Sequence, residues 1–194
     1  MVSGGIARGE AIVRVRLISG KYGGRSIDAP DTSRTHPMSE RIRNAMFNSI
    51  GDDVRDTRVL DAFAGSGSVG FEALSRGAQS VVFLERDRVA QKVIQANCRV
   101  LRCEGDARLI RAPVAAWLEN NRDAQFDLIF ADPPYHDVQL STVSRLFQHL
   151  KPGGTMVLSH PGKGEVPSGA KGIVVVDNRS YGNANLTYFR REIE

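Results

Sequence analysis

Apolar positions recur along this chain with two different periods, and the changes of period mark out its elements. From Arg58 onward short apolar runs alternate with longer segments in which apolar residues return every three or four positions. The runs RVLDAF (58–63), SVVFLE (80–85), ARLIRA (107–112), DLIFAD (127–132) and TMVLSH (155–160) predict strands. The segments VGFEALSRG, RVAQKVIQANCRVL, PVAAWLENN and VQLSTVSRLFQHL predict helices with a buried face. Because the strands are apolar almost throughout, both faces of their sheet must be covered, as in a parallel α/β sheet. Gly77 suits the stop of the first of these helices and Pro113 the opening of the third, while Trp117 joins Val114 and Leu118 on a core-facing stripe. After His160 the pattern becomes two β runs, GIVVVDN (172–178) and ANLTYFRRE (184–192), linked by RSYGN, so the sheet should end in an antiparallel hairpin. PGKGEVPSGAKG (161–172) is expected to be a mobile loop.

Ahead of this repeat, VRVRLISG and GGRSIDAP flank Lys21 and Tyr22 as a second hairpin. PMSERIRNAMFNSI (37–50) then reads as a helix, with Ser39 as N-cap and Ile42, Met46, Phe47 and Ile50 on one face. APDTSRTH reads as linker, which puts a boundary near residues 30–36. Residues 1–36 would then be an N-terminal extension with a basic hairpin, and 37–194 the main domain.

Composition narrows the class. With 194 residues, 41% hydrophobic and 25% charged, the chain suits one soluble domain with a substantial core. No apolar run reaches the ~18 residues of a membrane span, and MVSGGIARGEA lacks the apolar core of a signal peptide, so a cytoplasmic location is expected. Cys98 and Cys103 match no zinc or redox spacing and read as reduced structural thiols. His36, His136, His149 and His160 stand apart from other ligating residues, so no metal is expected. The net charge of +4 is unevenly spread: residues 1–50 hold eight Lys/Arg against four Asp/Glu, and the remainder eighteen of each. A basic module beside a neutral one suggests a polyanion-binding face next to a small-molecule site.

Two motifs carry chemistry. DAFAGSGSVG (61–70) sets Gly65, Gly67 and Gly70 in a G-x-G-x-x-G array between a strand and a helix, where glycines permit a tight turn and close approach to a ligand. Glu85, ending the next strand, is placed to accept from ribose hydroxyls, which points to an adenosine ligand. Asp61 at the loop entrance would oppose the pyrophosphate of NAD and favour the ammonium and sulfonium of S-adenosylmethionine (SAM); the alternative is that it caps the loop. Asp87 reads as a solvated first-turn residue. The second motif is ADPPY. If SAM occupies the crevice, Asp132 and the Pro133 carbonyl can each accept one N–H of an exocyclic amine. Pro134 stiffens the turn, and Tyr135 can stack on a base.

In combination, DAFAGSG, FLERD and ADPPY resemble the class I SAM-dependent amino-methyltransferases. RLISGKYGGRSI, RIRNAMFNSI, FEALSRGAQSVVFLERD and RSYGNANL resemble, more narrowly, the bacterial 16S rRNA guanine-N2 methyltransferases that modify guanine 966 in that family's rRNA numbering. The likeness spans roughly residues 14–192. It implies a Rossmann-like sheet of parallel strands ending in an antiparallel hairpin, with a small N-terminal β-hairpin plus helix module. It implies a SAM site made of Asp61, Ala64, Gly65, Ser66, Gly67, Glu85 and Arg86, with Arg41 and Phe47 contributed by the N-terminal helix. Asp132, Pro133, Pro134 and Tyr135 would address the guanine, and Arg16, Lys21, Arg25 and Arg43 the RNA. The implied partner is 16S rRNA or an assembling small ribosomal subunit, met by a monomer without membrane or metal. The chain departs from the family at Asn44, where glutamate is usual, at Ala184, where threonine is usual, and around Ala112 and Pro113, which lack the polar residue often found near adenine. DNA or protein-glutamine methylation, and a non-catalytic RNA-binding role in assembly, are the alternatives.

Overall fold

The alternating residues near the start of the chain form a two-stranded antiparallel ribbon, β1 (Ile12–Arg16) and β2 (Ser26–Pro30), with Val15 opposite Ile27. Helix α1 (Glu40–Ile50) follows, and Ser39 caps it by accepting the Ile42 N–H. Then come β3 (Arg58–Asp61), α2 (Ser68–Ser75), β4 (Ser80–Leu84), α3 (Arg88–Leu101), β5 (Ala107–Ile110), α4 (Val114–Asn120), β6 (Phe126–Ala131) and α5 (Leu140–Leu146). The chain finishes with β7 (Leu150–Pro161), β8 (Ile173–Tyr181) and β9 (Ala184–Arg191). This computed structural model describes residues 12–31, 37–162, 165–168 and 170–193. Residues 1–11 of the N-terminal segment and 32–36 of the expected linker lie outside these residues, as does part of the loop expected over 161–172.

Seven strands form one sheet in the order β5-β4-β3-β6-β7-β9-β8. The first five are parallel, and β9 and β8 run antiparallel to their neighbours. Successive strand residues face opposite ways, and each side is apolar. Val59, Val81, Phe83 and Phe130 pack under α2, α3, α1 and the ribbon, whereas Leu60, Val82, Ile129 and Met156 pack under α4 and α5. Trp117 lies in the second cluster. Gly77, at φ 108°, takes the left-handed conformation just past α2. Cys98 and Cys103 are free and buried. No helix among the described residues is long and apolar enough to cross a membrane.

Every residue of α2 is buried, because the ribbon and α1 cover the side that would otherwise meet solvent. Glu72 is the polar hub of that contact. Fully buried, it accepts from the backbone N–H of Ile18 and Ser19 at 2.8 and 3.1 Å and from Arg76 Nε at 2.8 Å, with Arg43 Nε 3.8 Å away. Asn44 also accepts from Arg76.

Element ends differ from expectation where local chemistry is ambiguous. β7 starts at Leu150 instead of 155, since KPGG, which reads as a turn, is a bulge between the pairs Phe126↔Leu150 and Leu128↔Thr155. A Cβ at Gly154 would come within 3.0 Å of the Asp127 carbonyl. α5 stops at Leu146 and continues as the 3₁₀ turn Phe147–His149. Pro113 is the N-cap of α4, one residue before the helix. RSYGN is mostly strand, with β8 reaching Tyr181.

Candidate active site

β4 and β5 extend the sheet on one side of β3, and β6 and β7 extend it on the other, so the strand order reverses between β3 and β6. A crevice opens outside the carboxyl ends of strands at such a switch point. Asp61 ends β3, Glu85 follows β4, Asp132 follows β6 and Ser159 lies near the end of β7, and all four line one cleft of about 1080 Å³. That volume exceeds the few hundred Å³ of a small ligand site and leaves room for a nucleoside-sized cofactor together with an acceptor.

The three glycines of the loop serve different needs. Gly65, at φ 55°, is left-handed, and a Cβ there would project into open space at the cleft. Gly67, at φ 80°, is the N-cap of α2, and a Cβ would lie 2.7 Å from the Phe71 ring. Gly70 brings α2 against β4, with a Cβ only 2.3 Å from the Phe83 ring. The loop is held by carboxylates. Glu85 accepts from the Gly65 and Asp87 N–H groups, both at 2.7 Å, and Asp61 accepts from the Gly70 N–H at 3.0 Å.

Asp61 is 2% exposed, and burial pushes its carboxyl up to about 7; the Gly70 N–H opposes this, while Asp132 and Glu85 add to it. Burial also raises Glu85, against the Asp87 and Gly65 N–H groups. Three acids facing one partly dry cleft favour a cationic ligand, and Leu84, Ala112, Pro113 and Val114 form an apolar wall suited to a planar ring. The acids and the open cradle at Gly65 fit SAM. Asp61 thus also performs the capping role that was its alternative. Asp87 differs from expectation: it is the N-cap of α3, accepting from Val89 and Ala90, both at 2.9 Å.

At the end of β6, Asp132 is raised to about 6 by burial, opposed by the neighbouring Ser159 hydroxyl. The Pro134 carbonyl closes the turn by accepting the Asp137 N–H at 2.9 Å. Tyr135 is partly exposed and its hydroxyl lies 2.8 Å from Ser159 Oγ. An acceptor-only carboxylate, a backbone carbonyl on a stiff turn and an aromatic face therefore share one side of the cleft.

Asp61, Ala64, Gly65, Ser66, Glu85, Arg86 and Asp132 to Tyr135 line the cleft together. Gly67 lies just behind it, shaping the loop. α1 meets the cleft differently from expectation. Phe47 is buried with its ring 5.3 Å from that of Phe130, and Arg41 is exposed outside the lining, while Pro37, Met38, Ser39 and Ile42 provide the contact. Arg43 cannot meet RNA: it is fully buried, donating to the Met38 and Arg16 carbonyls at 3.0 and 2.6 Å, so it braces the start of α1. Arg16, Lys21 and Arg25 are exposed. Arg16 pairs with Glu40, Lys21 lies 3.8 Å from Asp106, and Arg25 donates to the Val100 carbonyl. Ser159, Met38 and Asn183 were not anticipated as lining residues. Of these only Ser159 had a signal, as a polar residue near the carboxyl end of an apolar strand. No cluster of potential metal ligands occurs among the described residues.

Residues 15–190 match the family described as Conserved hypothetical protein 95. The Bacillus subtilis protein named "Putative rRNA methyltransferase YlbH" is 32% identical, over 91% of this chain and 99% of its own. "Ribosomal RNA small subunit methyltransferase D" of Haemophilus influenzae is 36% identical, over 67% of this chain and 66% of its own. A solved structure titled "Putative methyltransferase yhhF from Escherichia coli" superposes with a TM-score of 0.84 at 26% identity, covering 94% of this chain and all of that one.

Proposed function

This chain belongs to the Conserved hypothetical protein 95 family, and from that premise we propose that it is a SAM-dependent methyltransferase acting on the exocyclic N2 amine of a guanine in small-subunit rRNA. The observation that carries the reading is one cleft holding both cation-accepting acids and a planar-amine clamp, Asp61 and Glu85 on one side and Asp132 to Tyr135 on the other. Relatives named as rRNA methyltransferases support RNA as the substrate class. The choice of guanine N2 rests on the motif resemblance.

SAM, when bound, would supply an electrophilic methyl group, its sulfonium becoming a neutral thioether as the S–CH3 bond is given up. Asp61 and Glu85 would hold its charged and ribose ends, and the wall from Leu84 to Val114 would receive its ring. An exocyclic amine is a poor nucleophile because its lone pair is delocalised into the base. Asp132 Oδ accepts one amine N–H and the Pro133 carbonyl the other, which favours a pyramidal nitrogen and frees the lone pair. Tyr135 stacks on the base, an interaction worth ~1–3 kcal/mol for unpaired bases. Asp132 then takes the proton that the methylated nitrogen releases. Arg16, Lys21 and Arg25 provide phosphate contacts.

The test supplies labelled SAM with purified rRNA, small-subunit particles, DNA or release factors. Methyl transfer to rRNA or particles, recovered as N2-methylguanosine, is expected. Asp132→Ala should bind SAM as the parent does in calorimetry and lose transfer; full activity in that variant would remove Asp132 from the mechanism. Label on DNA or protein alone would replace the RNA reading.

A further inference from the structure

Ser159 belongs to neither chemical motif. It is 3% exposed on β7, where the pair Ala131↔Leu158 puts the next two residues, Asp132 and Ser159, side by side at the mouth of the cleft. Its Oγ lies 2.8 Å from the Tyr135 hydroxyl, and the same side chain, next to Asp132 across the β6–β7 pairing, lowers that carboxyl's affinity for a proton. A hydroxyl has one proton to donate, and an ionised carboxylate can only accept. With the Ser159 proton turned toward ionised Asp132, the Ser159 oxygen is left to accept from the Tyr135 hydroxyl. A strand residue thus ties together the aromatic ring and the acid of a turn that otherwise stands partly in solvent.

We propose that Ser159 is a positioning residue that locks Tyr135 and Asp132 into one rigid acceptor for the planar amine. The inference rests on the amine-methyltransferase reading above. One carboxylate lone pair is committed to Ser159, which sets the carboxylate plane and leaves the outer lone pairs for the substrate N–H. The Tyr135 ring is held by its hydroxyl at the far end and by the Pro133–Pro134 backbone at the near end. A misplacement of ~1 Å at such a site is enough to cost about a hundredfold in rate. The other titratable and charged groups lining the cleft are Asp61 from β3, Glu85, Arg86 and Asp87 after β4, and His136 beside Tyr135.

Ser159→Ala and Ser159→Thr, each with unchanged SAM affinity in calorimetry, make the test. In Ser159→Ala, kcat should fall at least tenfold with KM for SAM within about twofold of the parent. Its low-pH limb should move upward, because a donor to ionised Asp132 is gone. Carboxyl NMR of the ligand-free protein should show the Asp132 titration raised by on the order of one pH unit. Ser159→Thr, which keeps the hydroxyl, should restore both. Parent-like kcat together with a parent-like Asp132 titration in Ser159→Ala would overturn the proposal. If the parent protein methylates no guanine, the functional reading fails instead, and the NMR titration alone still decides whether Ser159 holds Asp132.

Discussion

Asp61 keeps its proton to an unusual pH because one oxygen has a single backbone donor and the remainder of the group has left water. Its folded-state value of about 7 lies above the ordinary 3.8, so between those values the folded, ligand-free protein binds a proton that the unfolded chain has released. The stability this provides is fully present below about pH 4 and is lost as pH rises through 7. Asp132, raised to about 6, has the same sign over a narrower window. Denaturant unfolding of ligand-free Asp61→Asn should therefore show a flatter pH dependence than the parent and higher stability at pH 8. Asparagine still accepts the Gly70 N–H, but it lacks the charge that meets the cofactor's cation, so SAM should bind about tenfold or more weakly in calorimetry. A variant with parent-like pH dependence would show that Asp61 is already ionised in the empty cleft. The glycine array and ADPPY were legible in the sequence because each is local. Both sit at carboxyl ends of strands, and parallel strands bring those ends to one edge. Ser159 was not legible as a partner of Asp132, because that contact depends on the register between β6 and β7.

Among the elements, α2 departs furthest from its sequence pattern. Its pattern predicts a helix with one buried face, yet the ribbon lies over the other side and both faces are dry. The Glu72 carboxylate then becomes the anchor for the ribbon's Ile18 and Ser19 N–H groups and the counter-charge for Arg43 and Arg76. Glu72→Ala leaves the Ile18 and Ser19 N–H groups without their acceptor and Arg43 and Arg76 without their buried counter-charge. It should lower stability by about 3–5 kcal/mol in urea unfolding, the usual cost of breaking a buried ion pair. Loss of less than about 1 kcal/mol would mean that water enters and replaces the carboxylate, as at an exposed pair. Close approach reinforces the same contact. A Cβ on Gly20, at φ 81°, would sit 1.7 Å from the Ser75 carbonyl, which accepts the Lys21 N–H at 2.8 Å. The resemblance implies that Arg43 addresses RNA, and only the packing of α1 against the ribbon and α2 makes it a brace.

Across the whole molecule, four of the eight cations of the first fifty residues, Arg14, Arg16, Lys21 and Arg25, are presented by the ribbon, which shares a core with the sheet. Its exposed cations have acid or carbonyl partners within the fold, but solvent-exposed pairs are worth only ~0–1 kcal/mol and can be exchanged for phosphates. Replacing Arg16, Lys21 and Arg25 with alanine should weaken rRNA binding and reduce the slope of log K against log salt by roughly 2 to 3, near 0.7–0.9 per lost contact. SAM affinity should not change. An unaltered slope would move the RNA track elsewhere on the surface. By itself the sequence determined the order of strands and helices, the parallel sheet with its antiparallel end and the two motifs, since periodicity and turn chemistry are properties of neighbours in the chain. Tertiary structure alone decided that Arg43 and Phe47 are core, that Glu72 is buried and satisfied, that KPGG is a bulge within a strand, and that Ser159 stands against Asp132. Each of those outcomes depends on which distant segment excludes water from a side chain or supplies its hydrogen-bond partner.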